Sequence, residues 1–336
     1  MSQNPEYVYC TICGMLLEDD CIVLRGPHWP DANARTVTDQ EITRYTGEAD
    51  SCYGKIHILP DRERIYPQET TDEDDEHVGD GPSAKMYHGI HPACEDLANR
   101  VIATSPNAKI SGVGDLFLTL ERRCASYHSQ NGRQRSLRRR RDDNFVPPIF
   151  NEDKNAFTYD GYYVPVNCID QWGDEWAGWW DEDPVNIPDL TTRLISNLEK
   201  APESSSSQKP MDDTPNEIND HIRGFVQGPL PLECTYLMPQ SQWAEVFFRI
   251  PFLWDLDMEI IREKTGSSKE DLEKWNWEKL TRQIMCPVPS MADAEDEEDA
   301  WDHSKVGLED IPGGLTNRRR IWQVLEEMRP ETELRG

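Results

Sequence analysis

No run of about 18 apolar residues occurs in this 336-residue chain, which argues against a membrane-spanning helix. The start, MSQNPEYVYC, lacks the charged-then-apolar order of a secretory signal, so the expected location is the cytoplasm or nucleus. Hydrophobic residues are scarce at 37%, while charged residues reach 29%. Part of the chain is therefore expected as solvated loop or linker. Cationic residues are the minority charge, 35 Lys and Arg against 63 Asp and Glu, leaving a net charge of −28. Such a surface repels polyanions on average, so nucleic-acid binding is disfavoured and protein partners are expected. Also missing are a Gly-rich phosphate loop, a Gly-x-Ser-x-Gly elbow and a His-Glu-x-x-His pair. Those enzyme classes are set aside, and a non-catalytic role is expected.

Nine cysteines are present, an odd number scattered along a chain expected in a reducing compartment, so they are not a disulfide framework. Four residues stand out by spacing. Cys10-Thr-Ile-Cys13-Gly can form a knuckle that aims two thiolates at one point, and His91-Pro-Ala-Cys94 supplies a second pair at the start of an apolar-periodic stretch. Together they complete the closed shell of a structural Zn2+ site. His91 is preferred to His88 as the fourth ligand, because a two-residue spacer lets His91 and Cys94 project from one helical turn. His88, lying upstream, is expected to orient a ligand or to be exposed. The first turn of a helix also favours a thiolate at Cys94. Cys21, Cys52, Cys124, Cys168, Cys234 and Cys286 sit singly and read as small buried hydrophobes.

The first module is expected over residues 6–125. Met15 to Leu24, closed by Gly26-Pro27, suits a small hairpin, and Cys52 to Leu59 a further strand. Leu97, Val101 and Ile102 predict a helix ending near Ser105-Pro106, and a second helix should begin near Asp115. Residues 126–144 read as a basic linker, within an Arg122 to Arg141 stretch of eight arginines. Its run Arg138 to Arg141 also fits a nuclear-import signal.

A Trp-rich region is expected over residues 145–288, interrupted by a disordered insertion at about 201–217. Pro188 suits a helix's first turn, and Leu190, Leu194, Ile195 and Leu198 follow on one face. The segment from Trp243 to Trp254 is the densest apolar region, and predicts a buried helix broken at Pro251. Leu272, Trp275 and Leu280 predict another helix reaching Ile284. Residues 289–314 read as an acidic loop, and 315–330 as a last helix with Thr316 or Asn317 as N-cap. The fold class is α+β: a small zinc-stapled N-terminal module followed by a mainly α-helical domain.

Knuckle, hairpin and helix-borne ligand pair resemble a treble-clef zinc finger. The whole order resembles a group of ascomycete fungal F-box-like proteins, in which a Cys-x-x-Cys-Gly and His-Pro-x-Cys segment precedes an F-box-like segment. Asp183-Pro184, Ile187-Pro188 and Leu190 to Leu198 are similar to the F-box opening. Phe252-Leu253-Trp254-Asp255 and Asn317-Arg318-Arg319-Arg320-Ile321-Trp322 are similar to the later segments of those proteins. Leu230-Pro231-Leu232-Glu233 is another candidate opening. The resemblance implies that Ile187, Pro188, Leu190, Leu194, Ile195 and Leu198 dock on the Skp-type adaptor of a cullin-RING ubiquitin ligase, with the chain as substrate receptor. The alternative is a nuclear regulatory protein that uses its zinc module for protein or nucleic-acid contact.

Overall fold

The structure is a computed structural model that describes residues 10–13, 17, 19–27, 36–50, 55–59, 63–65, 85–120, 182–202, 231–287 and 303–330. The expected basic linker, the aromatic stretch over 145–180 and all of the expected insertion beyond residue 202 lie outside the described residues, as do Cys52, Cys124 and Cys168. The architecture is α+β. The chain divides into two units: Met1–Ala177 with Pro289–Ala300 and Arg320–Gly336, and Gly178–Val288 with Trp301–Arg319.

The first unit is built on a five-stranded antiparallel sheet in the order β4-β3-β2-β1-β5. Its strands are β1 (Asp19–Pro27), β2 (Thr43–Asp50), β3 (Lys55–Ile58), β4 (Glu63–Ile65) and β5 (Lys85–Ile90). β1 is central among its neighbours, pairing Val23 with Tyr45 on one side and with Gly89 on the other. Its consecutive Cys21, Ile22, Val23 and Leu24 are all buried, as a strand covered on both faces requires. The expected small hairpin is therefore corrected to a full sheet. Gly26-Pro27 does not break β1 early. Gly26 is needed within the strand, because a β-carbon there would lie 2.6 Å from the Phe117 ring.

β5 runs straight into α1 (Pro92–Thr104), for which Pro92 supplies a preset first-turn φ. Cys94, Leu97, Ala98 and Val101 are buried at i, i+3, i+4 and i+7, the spacing of a single helical face. α1 ends at Ser105, as the Ser-Pro signal predicts. A second helix, α2, occupies 113–120, and Ser111 donates to the Asp115 carboxylate from its N–H and its hydroxyl. The Asp39 carboxylate accepts the Gly114 N–H at 2.8 Å, tying this start to the β1–β2 connection.

The second unit is helical: α3 (Leu190–Ser196), α4 (Gln240–Phe247), α5 (Met258–Thr265), α6 (Lys269–Leu272), α7 (Trp277–Met285) and the first part of α8 (Gly313–Glu327). Buried rings of α4 and α7 meet, with Trp277 5.5 Å from Phe247, and the half-buried Phe248 just past α4 lies 5.3 Å from Trp277. Short polar side chains close the helix starts. Asp257 accepts the N–H groups of Glu259 and Ile260, Ser268 that of Asp271, and Asn276 that of Lys279.

Four expectations change here. The helix over the Trp243 segment stops at Phe247, ahead of Pro251, so the proline follows a finished helix instead of breaking one. The single helix from Leu272 to Ile284 is two, because Trp275 leaves the helical path to bridge Lys200 in an antiparallel pair. α3 starts after Pro188, since Asp189 takes a left-handed φ of 55°. The last helix begins at Gly313, and Thr316 and Asn317 are buried inside it. Its cap comes from Glu182, whose carboxylate accepts the Gly314 N–H at 3.0 Å.

Candidate metal centre

The first ligand pair sits on the turn Cys10–Cys13, where Cys10 and Cys13 are buried. This turn is pinned to the sheet by the Thr11 N–H, which donates to the Gly89 carbonyl of β5 at 3.0 Å. One residue beyond β5, His91 is the N-cap of α1 with extended backbone (φ −66°, ψ 146°), and Cys94 lies in the first turn. The hydrogen bond at Gly89 thus brings two segments some eighty residues apart to one point.

The ligand atoms of Cys10, Cys13, His91 and Cys94 all lie within 4.8 Å of one another. His91 Nδ1 is 3.4 Å from Cys13 Sγ and 3.9 Å from Cys94 Sγ. A tetrahedral zinc with about 2.3 Å bonds to sulfur and about 2.0 Å to nitrogen calls for edges of roughly 3.5 to 3.8 Å between ligand atoms. The residues present fit that ion. Cys94 and Cys10 are as good as inaccessible, and Cys13 is 3% exposed. Bound zinc would replace the thiol protons and turn four competing polar groups, three buried and one half-buried, into one compact shell.

The charges at the cluster show the same competition. Burial pushes the Cys10 thiol up, but hydrogen bonds from Cys13 and Cys94 and the nearby His91 charge pull it well below the ordinary range. Hydrogen bonds with Cys10 and Cys13 hold Cys94 well above it, and burial adds to that. Burial also raises Cys13. Burial opposes the charged form of His91, yet the negative charge of Cys13 and Cys10 lifts it well above its ordinary value. The helix start does not lower the Cys94 thiol, because its hydrogen bonds with Cys10 and Cys13 and its burial outweigh it.

His88 is not in the cluster. It is fully buried on β5, and its ring meets Phe117 edge-on at 5.0 Å. Cys21 is likewise buried, and burial, then the charges of Cys10 and Asp20, push its thiol up to about 12. A contact that the sequence spacing does not signal is Arg44 of β2, whose guanidinium pairs with Glu95 in the first turn of α1, with Nη2 at 2.7 Å. The two residues are 51 apart in sequence.

The adaptor-contact residues implied by the resemblance fall in the second unit. Leu190, Leu194, Ile195 and Leu198 are buried at 3%, 0%, 1% and 4% exposure. Ile187 is half-buried and Pro188 exposed. Comparison with protein-family models, curated proteins and solved structures finds no match to this chain. Among the described residues no helix is long and apolar enough to cross a membrane.

Proposed function

We propose that the chain is a non-catalytic protein-interaction protein whose first unit is a treble-clef-like module stapled by one zinc ion. A single observation carries this reading: four buried or half-buried donors of the Cys3His type lie within 4.8 Å of one another, so the protein itself supplies every vertex of the shell. Catalytic zinc sites keep a position for water or substrate, and a complete protein shell leaves a structural role. Stabilisation by such an ion is large, about 10 to 16 kcal/mol in finger peptides, because the site hardly exists in the unfolded chain. Metal analysis of the purified protein tests it. About one zinc per chain is expected, lost in Cys13→Ser and Cys94→Ser. A metal-free protein that is fully folded would sink the reading.

Within the same reading, the second unit is an F-box-like receptor domain that docks on a Skp-type adaptor. What supports this is the Ile187-Pro188 and Leu190 to Leu198 pattern. The buried state of Leu194 and Ile195 sets its condition, because a helix-in-groove contact needs that face turned outward. Co-purification of the intact chain with the adaptor is the measurement. Absence of a complex would remove the receptor role and leave the zinc module untouched.

A further inference from the structure

The large apolar side chains exposed among the described residues are Leu232 and Leu237, at 41% and 65%. Single surface leucines need no explanation. These two share one loop, residues 231–237, and that loop is fastened from beneath. Glu278 of α7, with no exposed surface, accepts the Thr235 N–H at 2.8 Å, the Thr235 hydroxyl at 2.9 Å and the Tyr236 N–H at 2.8 Å. Arg282 pairs with Glu278 at 2.8 Å and donates from Nη1 to the Pro231 carbonyl at 2.9 Å. Asn276 donates to the Tyr236 hydroxyl at 3.2 Å. Tyr236 is held at φ 51°, in the left-handed region that a residue with a β-carbon rarely occupies.

Strain of this kind persists only where the surroundings over-determine it, and it clusters at binding elements. A buried ion pair that fixes the shape of a surface loop stabilises the presentation of what the loop carries outward. Here that is Leu232, Glu233 and Leu237, all exposed. The geometry points to this loop as a docking surface for a basic amphipathic protein segment, with apolar side chains over the two leucines and Lys or Arg beside Glu233. The sign of the partner follows from charge. Glu233 stands between the leucines on a chain of net charge −28, so an acidic partner is repelled and a basic one is steered in. Because the loop is ordered before docking, little conformational freedom is lost on binding.

This inference rests on the reading of the chain as an interaction protein, but it uses no metal ligand. The test is fluorescence anisotropy of the full chain with a labelled amphipathic Leu/Lys peptide, and with a Leu/Glu peptide as control, at physiological ionic strength. An acidic protein attracts a cationic peptide anywhere on its surface, so the informative variant is Leu237→Asp. It makes the chain more acidic, which preserves or raises non-specific attraction, and it removes the apolar anchor. The expected result is roughly tenfold weaker binding of the Leu/Lys peptide. Glu233→Gln weakens binding several-fold, the Leu/Glu peptide does not bind, and thermal unfolding is unchanged because Leu237 is exposed. No binding to the unaltered chain, or equal or tighter binding to Leu237→Asp, overturns the proposal. If Leu237→Asp unfolds, Leu237→Ser carries the same comparison. Zinc content measured on the same samples separates the two readings, since an unaltered chain that retains its metal yet binds no peptide counts against the loop alone.

Discussion

Arg318 and Asp255 form a forked ion pair in which Nη1 and Nη2 each lie 2.7 Å from one carboxylate oxygen. Arg318 has no exposed surface, and its remaining donor capacity goes to carbonyls: Nε to Pro184 at 2.6 Å, Nη1 to Phe252 at 3.0 Å and Nη2 to Val185 at 3.0 Å. The guanidinium also lies over the Trp254 ring, 3.9 Å from its centroid. One planar cation thereby fastens two separate chain segments to α8, a role that its fork fits and a lysine cannot copy.

Asp255→Ala leaves that guanidinium buried without a counter-charge. Breaking a buried pair costs about 3 to 5 kcal/mol. Asp255 keeps 28% side-chain exposure, so the lower end, about 3 kcal/mol, is expected. Arg318→Lys should cost a similar amount, because a single ammonium cannot reach Pro184, Val185 and Phe252 together. Urea denaturation of the zinc-loaded chain checks both, and unchanged midpoints would show the pair to be incidental.

The two histidines near the second half-site should separate by readout. His91→Ala removes a donor at 3.4 Å from Cys13 and should lose the metal. His88→Ala should retain about one zinc per chain while lowering stability by about 2 kcal/mol, since it vacates a buried position against Phe117. Metal content and a melting curve on each variant decide this. Equal metal loss in the two would place His88 in the shell.

What local spacing encodes was legible in the sequence, and what arrives from far along the chain was not. The ligand quartet follows from two short motifs, and α1 from its apolar period. β2 carried little signal. Its buried positions Gly47 and Ala49 are small, while Arg44, Thr46 and Glu48 are exposed, so apolar alternation is faint. The start of α8 was hidden for a related reason. Gly313-Gly314 is a poor helix opening by propensity, and the carboxylate that caps it belongs to Glu182, 132 residues away. The Arg318 fork depends on carbonyls of three other residues, which no side-chain pattern records.

The face of α3 offers a test of packing against partner docking. Leu194 is fully buried, so Leu194→Ala should cost about 2 to 5 kcal/mol through lost burial and the cavity left behind. Thr192, exposed on the same helix, is the matched control, and Thr192→Ala should lie within about 0.5 kcal/mol of the parent. Chemical denaturation reads both. A Leu194→Ala chain as stable as its parent would mean that this face is not packed in the isolated protein and stands ready for an adaptor.

Cys21 supplies the pH prediction. Its thiol is raised from 9.0 to about 12 by burial first, and then by the negative charges of Cys10 and Asp20. Zinc does not remove the second cause, because three thiolates around one divalent cation still leave a net negative shell. A raised value means that the folded chain holds this proton more tightly than the unfolded chain does. The associated stability is therefore complete below about pH 9 and is lost as pH rises from there toward 12. Cys21→Ala should flatten that alkaline decline. On the native zinc-loaded protein near neutral pH, iodoacetamide should label the half-buried Cys234 and Cys286 slowly, because burial raises their thiols too, while leaving the inaccessible Cys21 unmodified, since the thiolate is the reacting form. Peptide mapping by mass spectrometry gives the answer, and prompt labelling of Cys21 in the folded chain would show that β1 opens to solvent.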